Sequence, residues 1–312
     1  MRPHLRFVAR RTLGAVFTIV GVSLAVFLLR HAVPGDPVDA MLGEQATEAD
    51  REGLRRCLDL DKSLPGQLVA FGKDVFSGTL GTSCRDQRST VMSLIVQVYP
   101  RTVELAVAAV VLALALALPL GILAALRPGS WLDSAVMGAS LLGIAVPTMW
   151  MGPLLLAFFY VRLGWFPGPV DPPSAAGALV LPAFTLASHL AAMLARMTRS
   201  SLLDTAAEDY LRTARAKGLS RMQALVRHAL RNALLPVVTV AGIQLGALLA
   251  GAIVTEKIFG RPGLGTLMLE GLALRDWKIV QGVVIVVAAT YVLVNLLVDL
   301  MYALLDPRIA VR

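Results

Sequence analysis

Six stretches of this chain are apolar and long enough to cross a bilayer, roughly at 12–30, 102–124, 135–160, 178–197, 236–256 and 281–303. Such runs fold as helices in hydrocarbon, where each backbone N–H and C=O must find its partner inside the segment. The expectation is an all-α, polytopic membrane protein with six transmembrane helices. Composition agrees, with 56% hydrophobic and only 16% charged residues and a mean hydropathy of +0.70. Soluble domains carry roughly 25% charge. The first run follows a basic head, as in a signal peptide. Thr12 to Leu29 gives 18 residues, about 27 Å of helix. No small-x-small cleavage site follows, so it reads as a retained span.

The runs are not uniform. Pro147 and Pro153 interrupt the third, and Pro182 stands near the start of the fourth. Membrane helices tolerate such breaks where neighbours or a cavity satisfy the freed backbone groups. Gly242, Gly246, Ala247, Ala250 and Gly251 crowd the fifth. Small residues allow close helix approach, and they serve bundle packing and pathway lining equally well. Gln244, Glu256, Asn295 and Asp299 are the polar groups in or beside the later spans. Gln244 and Glu256 are kept as candidate pathway residues, since intramembrane polar groups face the bundle interior, and a helix-to-helix hydrogen bond would account for each equally well.

The net charge of +8 does not point to nucleic acid, because aromatics are 6% and the positive charges flank apolar runs. It sets orientation. Arg2, Arg6, Arg10 and Arg11 precede the first span. Arg196, Arg199, Arg212, Arg215, Lys217, Arg221, Arg227 and Arg231 follow the fourth. Both clusters belong inside by the positive-inside rule, so both termini are expected in the cytoplasm. Residues 31–100 are then external, with ten acids and seven bases. They open on VPGDP, a turn signal, and continue into a short helix that Thr47 caps with Asp50 three residues on. The region reads as a small outer cap. The only cysteines, Cys57 and Cys84, fall there. A disulfide is chemically open to them outside the cytoplasm, and so is a pair of separate thiols.

Motifs for chemistry are missing from the sequence. Gly66–Asp74 approaches a phosphate-binding loop, but five residues separate its glycines and an acid follows the lysine. There is no HExxH, CxxC, GxSxG or dinucleotide fingerprint. His4, His31, His189 and His228 are scattered, so no metal site is expected. No nucleophile–base set can be placed, which disfavours an intramembrane enzyme.

The segment between spans four and five is the most informative. Asp204 to Ala216 has helical composition, with acids early and bases late to suit the helix dipole. Glu208 and Arg212 have the spacing of a surface ion pair. Gly218 ends the helix where a left-handed residue is wanted. Ser220 caps a second helix from Arg221 to about Leu230, and Asn232 and Pro236 frame entry to span five. A basic loop that only touches anionic lipid accounts for the charge. It does not account for Glu208–Asp209, Tyr210 and a glycine set between two helices. A partner protein with a groove does.

At these residues the chain resembles a known family. DYLRTARAKGLS followed by HALRNALLPVVT is similar to the cytoplasmic coupling loop of ATP-binding-cassette importer permeases, in the dipeptide/oligopeptide/nickel branch. LLRHAVPGDPVDAMLG, GAIVTEKIFGRPGLGTLMLEGLALRDWKIVQG and NLLVDLMYALLDPRI resemble other parts of that branch, so the likeness covers nearly the whole chain. Two departures stand out: Thr79 in SGTLGTS replaces an acid, and Ala206–Ala207–Glu208–Asp209 alters the E-A-A order.

The resemblance implies a type I importer permease-like bundle and a non-catalytic subunit. It implies residues 1–97 as first span plus outer cap, 98–305 as a core of five spans with coupling loop 198–232, and 306–312 as a cytoplasmic tail. Asp209, Tyr210, Leu211, Arg212, Thr213, Ala214, Arg215, Ala216, Lys217 and Gly218 would form the coupling helix. Tyr210 and Leu211 would be its apolar anchor, and Arg212, Arg215 and Lys217 its polar contacts. Asn232 and Pro236 would join it to span five. The partners implied are a second related permease, two cytoplasmic ATPases and an extracytoplasmic solute-binding protein, in the inner membrane of a prokaryote. No cofactor is expected in this chain, with ATP and Mg in the ATPases. Short peptides are the expected solute, and nickel or another small complexed solute is the rival within the family. A membrane scaffold with a basic lipid- or partner-binding loop is the rival of another class.

Overall fold

A computed structural model describes residues 3–32, 36–42, 46–86, 88–172 and 174–305. The expected tail at 306–312 and most of the VPGDP turn lie outside the described residues. The described chain is helical: α1 (Pro3–Ala32), α2 (Pro37–Leu42), α3 (Glu48–Cys57), α4 (Leu64–Phe76), α5 (Val91–Leu126), α6 (Trp131–Ala145), α7 (Thr148–Leu155), α8 (Val180–Ala206), α9 (Asp209–Ala216), α10 (Arg221–Ala224), α11 (Leu230–Gly251), α12 (Ile253–Ile258), α13 (Leu264–Ala273) and α14 (Trp277–Leu305). Wide π turns follow α7 at Leu156–Arg162 and α10 at Leu225–Ala229. Five helical stretches are long and apolar enough to cross a membrane, and a bent pair makes up to six.

That pair is the third expected span. Trp131–Ala145 and Thr148–Arg162 meet at 99°. Pro147 disfavours helical backbone at the preceding residue, and Val146 is accordingly extended at φ −78°, ψ 119°. Span five also differs from expectation. Its helix begins well before Pro236, which is therefore interior to α11 and not at its start. It ends at Gly251, and Glu256 belongs to the separate α12.

The chain divides into two compact units, Met1–Val103 with Leu249–Lys257 and Arg261–Arg312, and Glu104–Leu248 with Ile258–Gly260. In the first, α1 packs on α14, and α13 on α14. Val26, Leu80, Val91, Ile95, Leu264 and Val283 form its core. Arg11 pairs with Asp299 at 3.1 Å, which gives that acid a helix-to-helix role. In the second, α8 packs on α6 and α7, and the core is alanine-rich, with Ala113, Ala117, Ala187, Ala191 and Ala241 buried. A Cβ at Gly121 would lie 2.7 Å from the carbonyl oxygen of Ala195. α5 and α8 thus touch at backbone distance, the packing that small residues allow in a membrane.

The small helices at 36–86 in the first unit, the expected cap, are locked by polar groups. Thr47 caps α3 with Asp50 in a reciprocal box. Cys57 and Cys84 are bridged, with Cα atoms 5.8 Å apart. Lys278 Nζ donates to Asp59 and Asp74, 2.9 Å from each. The fully buried Asp276 carboxylate accepts from Ser83 Oγ at 2.7 Å and from the Cys84 N–H at 3.0 Å. Arg30, at the end of α1, donates to the Leu58 carbonyl at 2.6 Å. The rejected phosphate-loop candidate, Gly66–Asp74, lies wholly inside helix α4.

Candidate functional site

The segment after α8 is short, charged outside and pinned by one side chain. α8 runs to Ala206, so Asp204 belongs to that long helix and not to the expected coupling helix. α9 starts at Asp209, and Arg212 pairs with Asp209 at 3.6 Å, not with the expected Glu208. Thr213 Oγ1 donates to the Asp209 carbonyl at 3.1 Å.

α9 is strongly amphipathic. Leu211 is 2% exposed, packed in a cluster with Leu202, Ala224, Leu225, Ala229 and Ala233. Burying a leucine contributes roughly 1.5–3 kcal/mol. Leu211 therefore fastens α9 to its own unit and is not the outward anchor that the sequence suggested. Tyr210 is 42% exposed. Its hydroxyl accepts from Asn232 Nδ2 at 3.1 Å, which links α9 directly to the start of α11. Thr213, Ala214, Ala216 and Lys217 complete the two turns, and the side chain of Arg215 lies outside the described residues.

Gly218 has φ +95°, with open space around the site of a Cβ. Leu219 N–H bonds the Ala214 carbonyl at 3.4 Å. Together they form a glycine C-cap in which the chain doubles back. A side chain there meets backbone strain and no neighbour. Ser220 and Gln223 then cap α10 reciprocally, at 3.2 and 3.1 Å. The expected second helix does not end at Leu230. It passes through the π turn into α11. Within α11, Pro236 has no N–H to offer the Asn232 carbonyl. Ser201 Oγ of α8 donates to the adjacent Ala233 carbonyl at 2.8 Å.

The two candidate pathway residues fare differently. Gln244 is half-buried on α11 in the second unit. Glu256, in the first, is 1% exposed and already occupied. Its carboxylate accepts from Thr102 Oγ1 at 2.6 Å, Gly265 N–H at 2.8 Å and Thr266 N–H at 3.3 Å. A Cβ on Gly263 would sit 2.1 Å from Glu256 Oε1. Glu256 is thus the clasp that holds the 263–266 turn against α5, the helix-to-helix role that the sequence had left open beside solute contact. The sequence does not name Thr102 as its partner, because that residue is 154 positions away.

Residues 117–311 match the binding-protein-dependent transport system inner membrane component, and residues 4–106 match the N-terminal membrane component of such systems. The chain belongs to this family. The permease is 40% identical over 337 residues to the dipeptide transport system permease protein DppB of Escherichia coli (strain K12), covering 98% of each. It is 36% identical over 311 residues to the oligopeptide transport system permease protein AppB of Bacillus subtilis (strain 168), covering 97% of this chain and 98% of that one. A structure of the MetNI methionine ABC transporter in inward facing conformations aligns at TM-score 0.52 and 19% identity, over 69% of this chain and 97% of that chain. It shows a shared permease fold. The protein is a multi-pass inner-membrane component of a transport system.

Proposed function

We propose that this permease forms the pathway for short peptides in an ATP-driven importer, and that α9 is the part gripped by cytoplasmic ATPases. In this reading the chain is non-catalytic. ATP and Mg act in the ATPases, an external binding protein delivers the solute, and a second related permease completes the pathway. Residues 1–97 carry the first span and outer cap, and 98–305 carry the core. Peptide import rests on the relatives named above, described as dipeptide and oligopeptide permeases.

The observation that carries the coupling role is the build of α9. It is fixed from within by Leu211, turned back by Gly218 and tied to α11 through Tyr210 and Asn232. Its Asp209 and Arg212 side chains are left outside. A load applied to α9 then reaches α8 and α11 together. ATP can bias inward- and outward-open states only through its different affinity for the two. The disulfide supports the outside placement of the cap, since such bridges persist in oxidising compartments.

The test is Gly218→Val in the assembled transporter. A β-branched residue at this φ costs about 1–3 kcal/mol of strain, enough for roughly tenfold slower dipeptide uptake. Membrane insertion should be unchanged, and the ATPases should co-purify poorly. Uptake at the wild-type rate by an inserted Gly218→Val protein would remove the coupling role. An α9 that keeps its partners after the ATPase subunits are deleted would favour a scaffold.

A further inference from the structure

The second unit holds a cleft of about 510 Å³ between α6 and α8, lined by Met137, Ile144, Met193, Arg196, Met197 and Ser200, with Arg199 at its edge. We propose that this cleft is a subsite for the carboxylate end of a transported peptide, with Arg196 as the anchoring residue. The inference rests on the importer reading and names the group by which the site would hold its solute.

Two arginines one turn apart reach the cleft, and only one is available. Arg199 is committed to Asp133, with Nη2 2.7 Å from Oδ2 and Nε on the other oxygen. Arg196 is exposed and has neither hydrogen bond nor ion pair among the described residues. A free guanidinium presents a planar fork that matches a carboxylate. The Ser200 hydroxyl stands one turn further along α8.

The remaining wall is three methionines and an isoleucine, all partly buried. Methionine is unbranched and polarisable, and it lines surfaces that must accept differing shapes. Short peptides vary in their side chains and share a terminal carboxylate, the pairing that this wall and Arg196 would read. The volume lies within the range of small-molecule sites. Orientation in the membrane needs only the charge of Arg196, which any exposed position would supply. It gives no reason for a methionine-lined cleft. α8 continues from Arg196 to Ala206, about 15 Å of helix, and α9 follows. The cleft thus lies on the helix that leads into the docking helix.

Cys57 and Cys84 are the only cysteines and are bridged, so Met197→Cys gives this chain a single free thiol. Its alkylation by a charged reagent is followed by mass spectrometry of this chain, in the assembled transporter in phosphatidylcholine nanodiscs. Trialanine should slow labelling by about threefold or more, and trialanine amide should not. Adding Arg196→Gln should abolish the protection, and Arg196→Lys should keep part of it. Equal rates with and without trialanine, or equal protection by acid and amide, would overturn the subsite. So would protection by phosphatidylglycerol nanodiscs alone, which would make the cleft a lipid site. If Gly218→Val uncouples transport while trialanine gives no protection, the importer reading stands and only the subsite falls.

Discussion

The outer cap and the α9 segment are both short helices joined by turns, yet they are held in opposite ways. The cap is closed by a covalent bridge, by Lys278 between two carboxylates and by a buried Asp276. Lys278, Asp59, Asp74 and Asp276 all find their partners internally. The α9 segment rests on one leucine, one exposed hydrogen bond to Asn232 and a glycine turn, and presents Asp209 and Arg212 outward. The difference teaches that the cap is finished by its own chain, whereas α9 is stable but incomplete and suits a second protein.

Substitutions can break that contrast. The largest effect is expected at Gly218. Because the barrier there is conformational, uptake should fall in the order Val, Ala, Asn, with asparagine mildest because it tolerates left-handed backbone. Valine should cost roughly tenfold in rate. An equal loss with all three would mean that the site is crowded in the working complex.

Next is the bridge. Cys57→Ser opens a link across a sequence separation of 27, with an expected loss of about 3.5 kcal/mol from the chain-entropy relation. Hydrogen exchange across 46–86 should accelerate strongly while α9 amides keep their protection. Matching acceleration in α9 would show that the two regions do not behave independently.

The cap should also be acid-sensitive. Burial pushes the Asp59 carboxyl up, but hydrogen bonds from Lys62 and Lys278 outweigh it, and the net direction is down. A depressed carboxyl contributes stability above its unfolded pKa and loses it as pH falls through the folded value. Exchange in the cap should therefore rise only below the ordinary carboxylate range, about pH 4. Lys278→Met should shift that rise to higher pH and cost about 2 kcal/mol at neutrality. An unchanged pH profile would remove Lys278 from the lock.

The smallest effect is expected at Asn232→Ala, which deletes one exposed neutral hydrogen bond worth about 0.5–1 kcal/mol. α9 exchange should quicken a few-fold with uptake nearly intact. A large loss of uptake would assign Asn232 to the partner contact itself.

Local signals in the sequence proved readable. The Thr47–Asp50 box, the Ser220 cap and the Gly218 turn each depend on residues within a few positions of one another. Apolar length located the membrane helices, while the sharp bend came from one proline acting on its neighbour. Long-range pairing was not readable. Glu256 looked like a polar group in a span, because nothing near it in sequence announces Thr102, 154 positions away. Leu211 looked like an outward anchor, because an amphipathic helix of two turns does not say which body covers its apolar face. Pro236 looked like a helix start because the helix enters unnoticed through α10 and its π turn.

That π turn, Leu225–Ala229, amounts to one surplus residue in an otherwise α-helical ladder. Deleting a residue there would rewind everything downstream by about 100°. Asn232 would swing away from the Tyr210 hydroxyl, and the face of α11 that meets Ser201 would turn aside. A single extra peptide unit thus sets the angular phase between the grip and the rod it moves.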